Sequence, residues 1–189
     1  MNLLHSTLRN QSGISMIEVL VTIVILMIGL LGLAGLQMQG LRSEMESYQR
    51  VQALILLQDI AGRINANRAN AASYVADDIG TAGDGQLADC SGLAVGQPRD
   101  ICEWSNALKG ASEKASNAAN AASVGAMIGG RGCITQLSPA SPETYLISVA
   151  WQGMGKTFSP ATNLCGKDEY GDDAERRVVS ITIQIASLG

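Results

Sequence analysis

The sequence predicts an α+β fold in which a long N-terminal helix packs, through its second half, on a head that contains a small antiparallel sheet. Three observations support this prediction. A nearly uncharged apolar run occupies residues 14–36, an amphipathic pattern continues to residue 68, and segments with a two-residue hydrophobic period occupy the last third of the chain. The length of 189 residues allows one domain plus an extended appendage.

The first 13 residues, MNLLHSTLRNQSG, form a short leader that is polar apart from a few leucines. An ordinary secretory signal is cut after its apolar region, which is therefore removed. Here the apolar run begins only at Ile14 and continues toward the mature protein. The leader is therefore not an ordinary secretory signal.

Residues 14–36 are predicted to cross a membrane. Their only polar side chains are Ser15, Glu18 and Thr22, and at a rise of about 1.5 Å per residue a helix of this length spans a bilayer core of roughly 30 Å. Arg9 precedes the run and no basic residue lies within it, which predicts a cytoplasmic N-terminus and an exported remainder.

Glu18 is the only charged residue in the apolar run. A carboxylate there costs several kcal/mol unless it is paired or neutralised. One interpretation places it at the level of the lipid headgroups, where an acid favours the helix dipole. The other requires a cation, and a cut before Ile14 would create one, because the new α-amine would lie within a turn of a neighbouring subunit's Glu18.

The nine residues from Gly13 to Val21, GISMIEVLV, closely resemble the class III signal of type IV prepilins and type II secretion pseudopilins. The resemblance implies that a prepilin peptidase cleaves between Gly13 and Ile14 and methylates the Ile14 amine. It also implies that Glu18 neutralises the amine of an adjacent subunit during assembly. Most members of the family begin the mature chain with Phe, and Ile14 is a departure that conserves polarity.

Three segments resemble the PilV-type minor pilins in particular: residues 15–37, residues 100–108 with Trp104, and residues 145–153, which end in VAWQG. The resemblance implies a minor type IV pilin that is incorporated into pili or primes their assembly, for attachment, twitching motility or DNA uptake. Two alternatives stay open. One is a minor pseudopilin of a type II secretion system, and the other is a single-pass membrane anchor with a periplasmic binding module.

The same resemblance implies the partners and the location. The expected partners are the prepilin peptidase, other minor and major pilins, and inner-membrane lipid before assembly. The expected location is the bacterial inner membrane, with a single pass, a cytoplasmic N-terminus and a periplasmic head, and then the pilus at the cell surface. These expectations divide the chain into a leader (1–13), a transmembrane half of the helix (14–36), an amphipathic half (37–68) and a head (69–189).

Glycines interrupt the apolar helix at four positions, each lowering its stability by about 1 kcal/mol relative to alanine: Gly29, Gly32, Gly35 and Gly40. Such small residues favour close packing against another helix, and the pilin resemblance suggests local melting in a fibre as a second use. In the amphipathic half, an apolar stripe with helical spacing is expected to face the head: Leu41, Met45, Tyr48, Val51, Leu54, Leu57, Ala61 and Ile64.

Gly, Asp and Pro between Tyr74 and Cys102 predict an irregular connection. Residues 100–116 are expected to form a short helix with Trp104 and Leu108 directed inward, and the low-complexity residues 110–126 to form a weak helix or a mobile loop. Strands are predicted at 133–137, 145–151 and 179–185.

The four cysteines, Cys90, Cys102, Cys133 and Cys165, all follow the apolar run, which fits a compartment that permits disulfides. Four cysteines allow three pairings. We favour Cys90 with Cys102 and Cys133 with Cys165, because these pairs close short loops. The alternative is reduced, buried thiols that behave as small apolar side chains.

The sequence offers little support for catalysis or cofactor binding. The only histidine, His5, lies in the leader, and the sequence has no GxSxG elbow or phosphate-binding loop. We therefore expect no enzyme activity, no cofactor and no metal. Five acidic residues could offer oxygen ligands to calcium but lack EF-hand spacing, so a solvated loop is favoured: Asp168, Glu169, Asp172, Asp173 and Glu175. A net charge of −4 without a basic stripe argues against contact with nucleic acid.

Overall fold

The computed structural model describes residues 13–111 and 127–186. The elements follow in this order: α1 (Met16–Ala66), a 3-10 helix (Arg68–Tyr74), β1 (Ala76–Ile79), α2 (Gln97–Leu108), β2 (Ile128–Ser138), β3 (Glu143–Gln152), a 3-10 turn (Asp173–Glu175) and β4 (Arg176–Ile185). The predicted α+β class, a long N-terminal helix followed by a small antiparallel sheet, is confirmed. Most of the leader and of the low-complexity segment 110–126 lies outside the described residues.

The chain divides into two compact units at Ser43 and Glu44. In the first unit, α1 is an unbroken helix through Gly29, Gly32, Gly35 and Gly40. Every side chain from Ile14 to Ser43 is exposed. Because the helix is continuous, the local melting that the glycines would permit is absent from this structure. Their role in packing against another helix stays a prediction.

In the second unit, α1 buries one face against the head. The buried residues recur every three or four positions, as helical geometry requires: Gln49, Ala53, Leu57, Ile60, Ala61 and Ile64. The predicted stripe was therefore correct only at its C-terminal end, since Met45, Tyr48 and Val51 are 50 %, 50 % and 53 % exposed and Leu41 and Leu54 are exposed as well. The observed and predicted stripes share Leu57, Ala61 and Ile64 and differ before Leu57, where Gln49 and Ala53 are buried instead.

The four strands form one antiparallel sheet in the order β1-β2-β3-β4. The alternating residues of β3 that face α1 are buried, namely Tyr145, Ile147, Val149 and Trp151. The three predicted strands are present and are longer than predicted. The prediction of a wholly irregular connection from Tyr74 to Cys102 was wrong, because it contains β1. Two aspartates make ADDI a poor strand former alone, and pairing with β2 stabilises it.

The predicted short helix is present as α2, which begins at Gln97 and ends at Leu108. Its start follows Gly96, whose φ of 107° suits glycine, and Pro98 lies in its first turn. Trp104 and Leu108 are buried as expected. The Trp104 indole N–H donates a 2.9 Å hydrogen bond to the carbonyl of Leu56, which fastens α2 to α1.

Two disulfides join loops to the elements of the head. Cys90 bonds to Cys102 on α2, and Cys133 on β2 bonds to Cys165 in the loop before β4. This is the pairing favoured from loop length. Asn106 also donates through its amide to the sulfur of Cys90, at 3.2 Å.

Candidate processing and assembly site

The three residues of the predicted processing and assembly site, Gly13, Ile14 and Glu18, lie at the start of α1. Gly13 to Ser15 are not helical, and α1 begins at Met16. The amides of Glu18 and Val19 donate to the carbonyl of Ser15 at 3.0 and 3.3 Å. Ser15 therefore has the N-cap position and Glu18 is the third helical residue, where a carboxylate favours the positive end of the helix dipole.

The peptide bond between Gly13 and Ile14 is open to a large partner. Ile14 is 76 % exposed, and a side chain at Gly13 would meet nothing within 4 Å. Glu18 is also exposed. This geometry leaves both the scissile bond and the carboxylate available to other molecules, while cleavage at Gly13, methylation of Ile14 and charge pairing by Glu18 stay predictions.

The apolar half of α1 suits a hydrocarbon environment. Among the described residues, one helix, Met16–Ala66, is long and apolar enough to cross a membrane. The hydroxyl of Thr22 donates to the carbonyl of Val19 at 2.8 Å, so this polar group is satisfied within the helix. A side chain added at Gly29, Gly32, Gly35 or Gly40 would meet nothing within 4 Å, so the fold of the single chain does not require these glycines.

In the head, a charged cluster joins α1 to α2. Arg63 contacts Asp59, Asp100 and Glu103 at 3.0, 3.2 and 2.6 Å. Burial alone would lower the pKa of Arg63, but hydrogen bonds to these carboxylates outweigh burial and raise its pKa. Tyr74 donates to Asp100 at 2.5 Å, and burial together with this bond raises the pKa of Tyr74 to about 12. Each of the three carboxylates is paired with Arg63, which favours a structural role for the cluster.

A buried arginine holds the long loop between β3 and β4. Arg176 is only 1 % exposed. It contacts Asp173 at 2.6 Å and donates to the carbonyls of Asn163, Cys165 and Pro160. The hydrogen bond from Arg176 is the main cause that lowers the pKa of Asp173 to about 2. The guanidinium therefore organises the loop from inside.

The neighbouring arginine connects this region to α1. Arg177 contacts Glu46 at 3.1 Å and donates to the carbonyl of Gly155 at 2.7 Å. The amide of Met154 donates to the same Glu46 carboxylate. Sequence reasoning identified neither arginine, because an Arg-Arg pair at the start of a strand is ordinarily solvated, and no spacing signal indicates which one is buried.

Basic side chains accompany three carboxylates of the acidic loop. Glu169 contacts Arg131 at 2.7 Å, Asp172 contacts Lys156 at 2.7 Å, and Asp173 contacts Arg176. Within residues 13–111 and 127–186, no group of three or more His, Cys, Asp or Glu side chains is placed to hold a metal ion. The loop therefore acts in this structure as a set of ion pairs.

Comparison with known proteins gives two matches to family models. The model of the prokaryotic N-terminal methylation motif matches residues 8–34, and the model of type IV pilin Tt1218 matches residues 35–95. The first covers the predicted cleavage site and most of the apolar run. The second covers the rest of α1, β1 and the loop that carries Cys90. Neither the curated proteins nor the solved structures gave a match.

The methylation motif implies processing by a prepilin peptidase and association with pilins in general, and the pilin family is structural rather than enzymatic. The exposed apolar half of α1 fits a membrane-anchored subunit. The helix, the antiparallel head and the two adjoining matches together support the interpretation of this chain as a type IV pilin-like structural subunit.

Proposed function

We propose that the chain is a minor type IV pilin, a subunit that is incorporated into type IV pili or primes their assembly. The observation that carries the proposal is the start of α1: an accessible Gly13–Ile14 bond is followed by one exposed acid, Glu18, which is the only charged residue in the exposed run 14–36. The match to the methylation motif covers the same residues.

In the proposed assembly step, cleavage after Gly13 leaves the α-amine of Ile14 at the end of an apolar helix. That amine, methylated and still cationic, and the carboxylate of Glu18 are both costly to bury alone. Pairing the amine of an incoming subunit with Glu18 of its neighbour removes both costs. Because the remaining side chains of residues 14–36 are apolar or small, this pair sets the axial register of one helix against the next.

The assignment to the PilV-type minor subgroup rests on two head segments besides the helix. Residues 100–108 lie in α2 and include buried Trp104. Residues 145–153 span most of β3, which supplies buried Tyr145 and Trp151 to the core. Both segments pack inside the head, so the resemblance supports a shared head architecture.

The first test is mass spectrometry of the mature protein. We expect an N-terminus at methylated Ile14. An intact leader would contradict both the pilin proposal and the pseudopilin alternative, and would favour a single-pass anchor with a binding module.

The second test replaces Glu18 with Gln, which keeps its shape and removes its charge. We expect incorporation into filaments to fall at least about tenfold, since a buried charge without its partner costs about 3 kcal/mol or more. Glu44→Gln is the matched control, because Glu44 is an exposed acid on the same helix. Equal incorporation of the Glu18→Gln chain and the wild type would refute the pairing.

Deleting the gene separates the pilus from the secretion alternative. The minor-pilin proposal predicts loss of surface pili with normal export of secreted enzymes. The opposite pattern would identify a pseudopilin of a type II secretion system.

A further inference from the structure

The two edges of the head sheet differ in how they are protected. The β1 edge has four residues, with Asp77 and Asp78 exposed. Its pairing with β2 is irregular, and Asp78 has a φ of 56°. Short length, charge and irregularity are the features by which native sheets block the addition of a further strand. The β1 edge is therefore closed to a partner.

The β4 edge has none of these features between Val178 and Ile185. β4 pairs with β3 in an unbroken register from Glu143 with Ile185 to Gln152 with Arg176. On its other side, no backbone or side-chain group among residues 13–111 and 127–186 bonds to the main chain from 178 to 185. Eight residues of strand, roughly 26 Å long, therefore have outward amides and carbonyls without a partner in the described part of the chain.

The residues of this open edge also favour pairing. The segment VVSITIQI contains no charge, proline or glycine, and five of its eight residues are Val or Ile. Ser180, Thr182 and Gln184 are exposed on one face, whereas Val179, Ile181 and Ile183 pack partly buried against the core. Such a segment has a high tendency to add a strand, and soluble proteins ordinarily interrupt it.

We infer that the β4 edge is a docking surface that receives an extended strand from another protein chain, by addition to the sheet. The main chain of the partner would bond to residues 178–185. Its side chains would be uncharged opposite this stretch. Apolar β-branched residues would lie beside Val179, Ile181 and Ile183, and would cover the part of those side chains that the head leaves exposed.

A second copy of β4 fits this edge poorly. Antiparallel pairing of two β4 strands needs a two-fold axis perpendicular to the sheet, which reverses the direction of α1 in the second copy. The proposed function requires parallel helices in one membrane or filament, and this step of the inference rests on it. Parallel pairing in register instead places Arg177 next to Arg177 of the second copy, where like charges repel. A different chain with a neutral strand avoids both conflicts.

Hydrogen exchange of the full chain in detergent tests the inference. The probe is a short synthetic peptide of alternating valine and threonine with charged ends. At ten times its Kd, bound peptide should slow exchange of the outward amides of residues 178–185 by about tenfold. Amides of Ala76–Ile79, on the closed edge, should keep their rate. The experiment needs no filament, so its failure is distinct from a failure of the pilin proposal.

Two proline variants provide the control, Ser180→Pro and Ile181→Pro. Of two successive amides in an edge strand, one bonds to the neighbouring strand and one points outward. Each proline variant is compared with the alanine variant at the same position, because Ile181 also packs against the core. Relative to that reference, the variant whose outward amide is lost should keep its thermal unfolding transition and lose the peptide effect, and the other should unfold at a lower temperature. Unchanged exchange at millimolar peptide, equal slowing at both edges, or a dimer already protected at β4 without peptide would overturn the inference.

Discussion

Gly132 on β2 lies directly beneath the ring of Trp104, and replacing it with alanine tests the packing of the head. A Cβ at this position would lie 2.3 Å from Cη2 of Trp104, 2.5 Å from its Cζ3 and 2.9 Å from Cδ1 of Leu108. Trp104 is fully buried, and its indole N–H is bonded to the carbonyl of Leu56. The ring therefore cannot move aside without breaking that bond or displacing α2.

Forcing extra carbon into a filled core costs about 1–3 kcal/mol, and the three short contacts place Gly132→Ala near the upper end. For a unit of this size, a loss of about 3 kcal/mol lowers the unfolding temperature by roughly 10 °C. The assay is thermal unfolding of the full chain in detergent, followed by tryptophan fluorescence and circular dichroism.

Gly62→Ala is the matched control, because Gly62 lies on exposed α1 surface and its added Cβ would meet nothing within 4 Å. It should raise stability by up to about 1 kcal/mol through helix propensity. Adding Trp104→Phe to Gly132→Ala should recover part of the loss, since phenylalanine lacks the two clashing ring atoms, and a double-mutant cycle measures the recovery. A Gly132→Ala protein that unfolds at the wild-type temperature would refute the packing argument.

Two further predictions concern the head. Replacing Cys133 and Cys165 together with alanine should cost about 4 kcal/mol and replacing Cys90 and Cys102 about 3 kcal/mol, because the sequence separations are 32 and 12 residues; urea unfolding measures both, and the reverse order would contradict the loop-length argument. Burial would raise the pKa of Asp84, but bonds from Lys109 and Ser105 outweigh it and lower that pKa from 3.8 to about 2. Its stabilisation is therefore complete above about pH 4 and is lost as the pH falls toward 2. Asp84→Asn should reduce the free energy of unfolding by roughly 1–2 kcal/mol at about pH 5 and change it little at about pH 2. An equal loss at both pH values would contradict the lowered pKa of Asp84.

The sequence predicts well those features that a local pattern determines. The three longer strands and the inward position of Trp104 follow from periodicity, and the apolar run follows from its length and uniform composition. The disulfide pairing followed from loop length. The pattern of Gly13 and Ile14 followed by Glu18 predicted the processing site. The structure gives the local geometry of these residues, and their cleavage, methylation and charge pairing stay predictions.

The face of α1 was predicted only in part because two stripes of similar spacing run along it. The predicted stripe passes through Met45, Tyr48 and Val51, and the observed one passes through Gln49 and Ala53 before the two converge at Leu57. Hydrophobicity favours the first stripe. The sheet selects the second, because alanine at position 53 allows close approach and Glu46 turns toward Arg177. Such a choice depends on residues more than 100 positions away and leaves no local signal.

β1 was missed for a related reason. Its four residues include two exposed aspartates, and its regularity comes from its partners on β2. Its side-chain anchor, the contact of Asp78 with Arg131 at 3.2 Å, joins residues 53 positions apart. Local composition could therefore indicate only an irregular connection.

If the chain works as the proposed minor pilin, the order of its cysteines has a consequence for folding during export. The two bonded pairs are consecutive and neither encloses the other, since Cys102 precedes Cys133. In the proposed minor-pilin topology the N-terminus stays cytoplasmic and the head is exported from its junction with the apolar run toward its C-terminus, so each cysteine arrives immediately before its partner. An oxidase that joins sulfurs in their order of arrival would therefore produce the native bonds directly. Such a subunit could mature without a disulfide isomerase to correct mispaired intermediates.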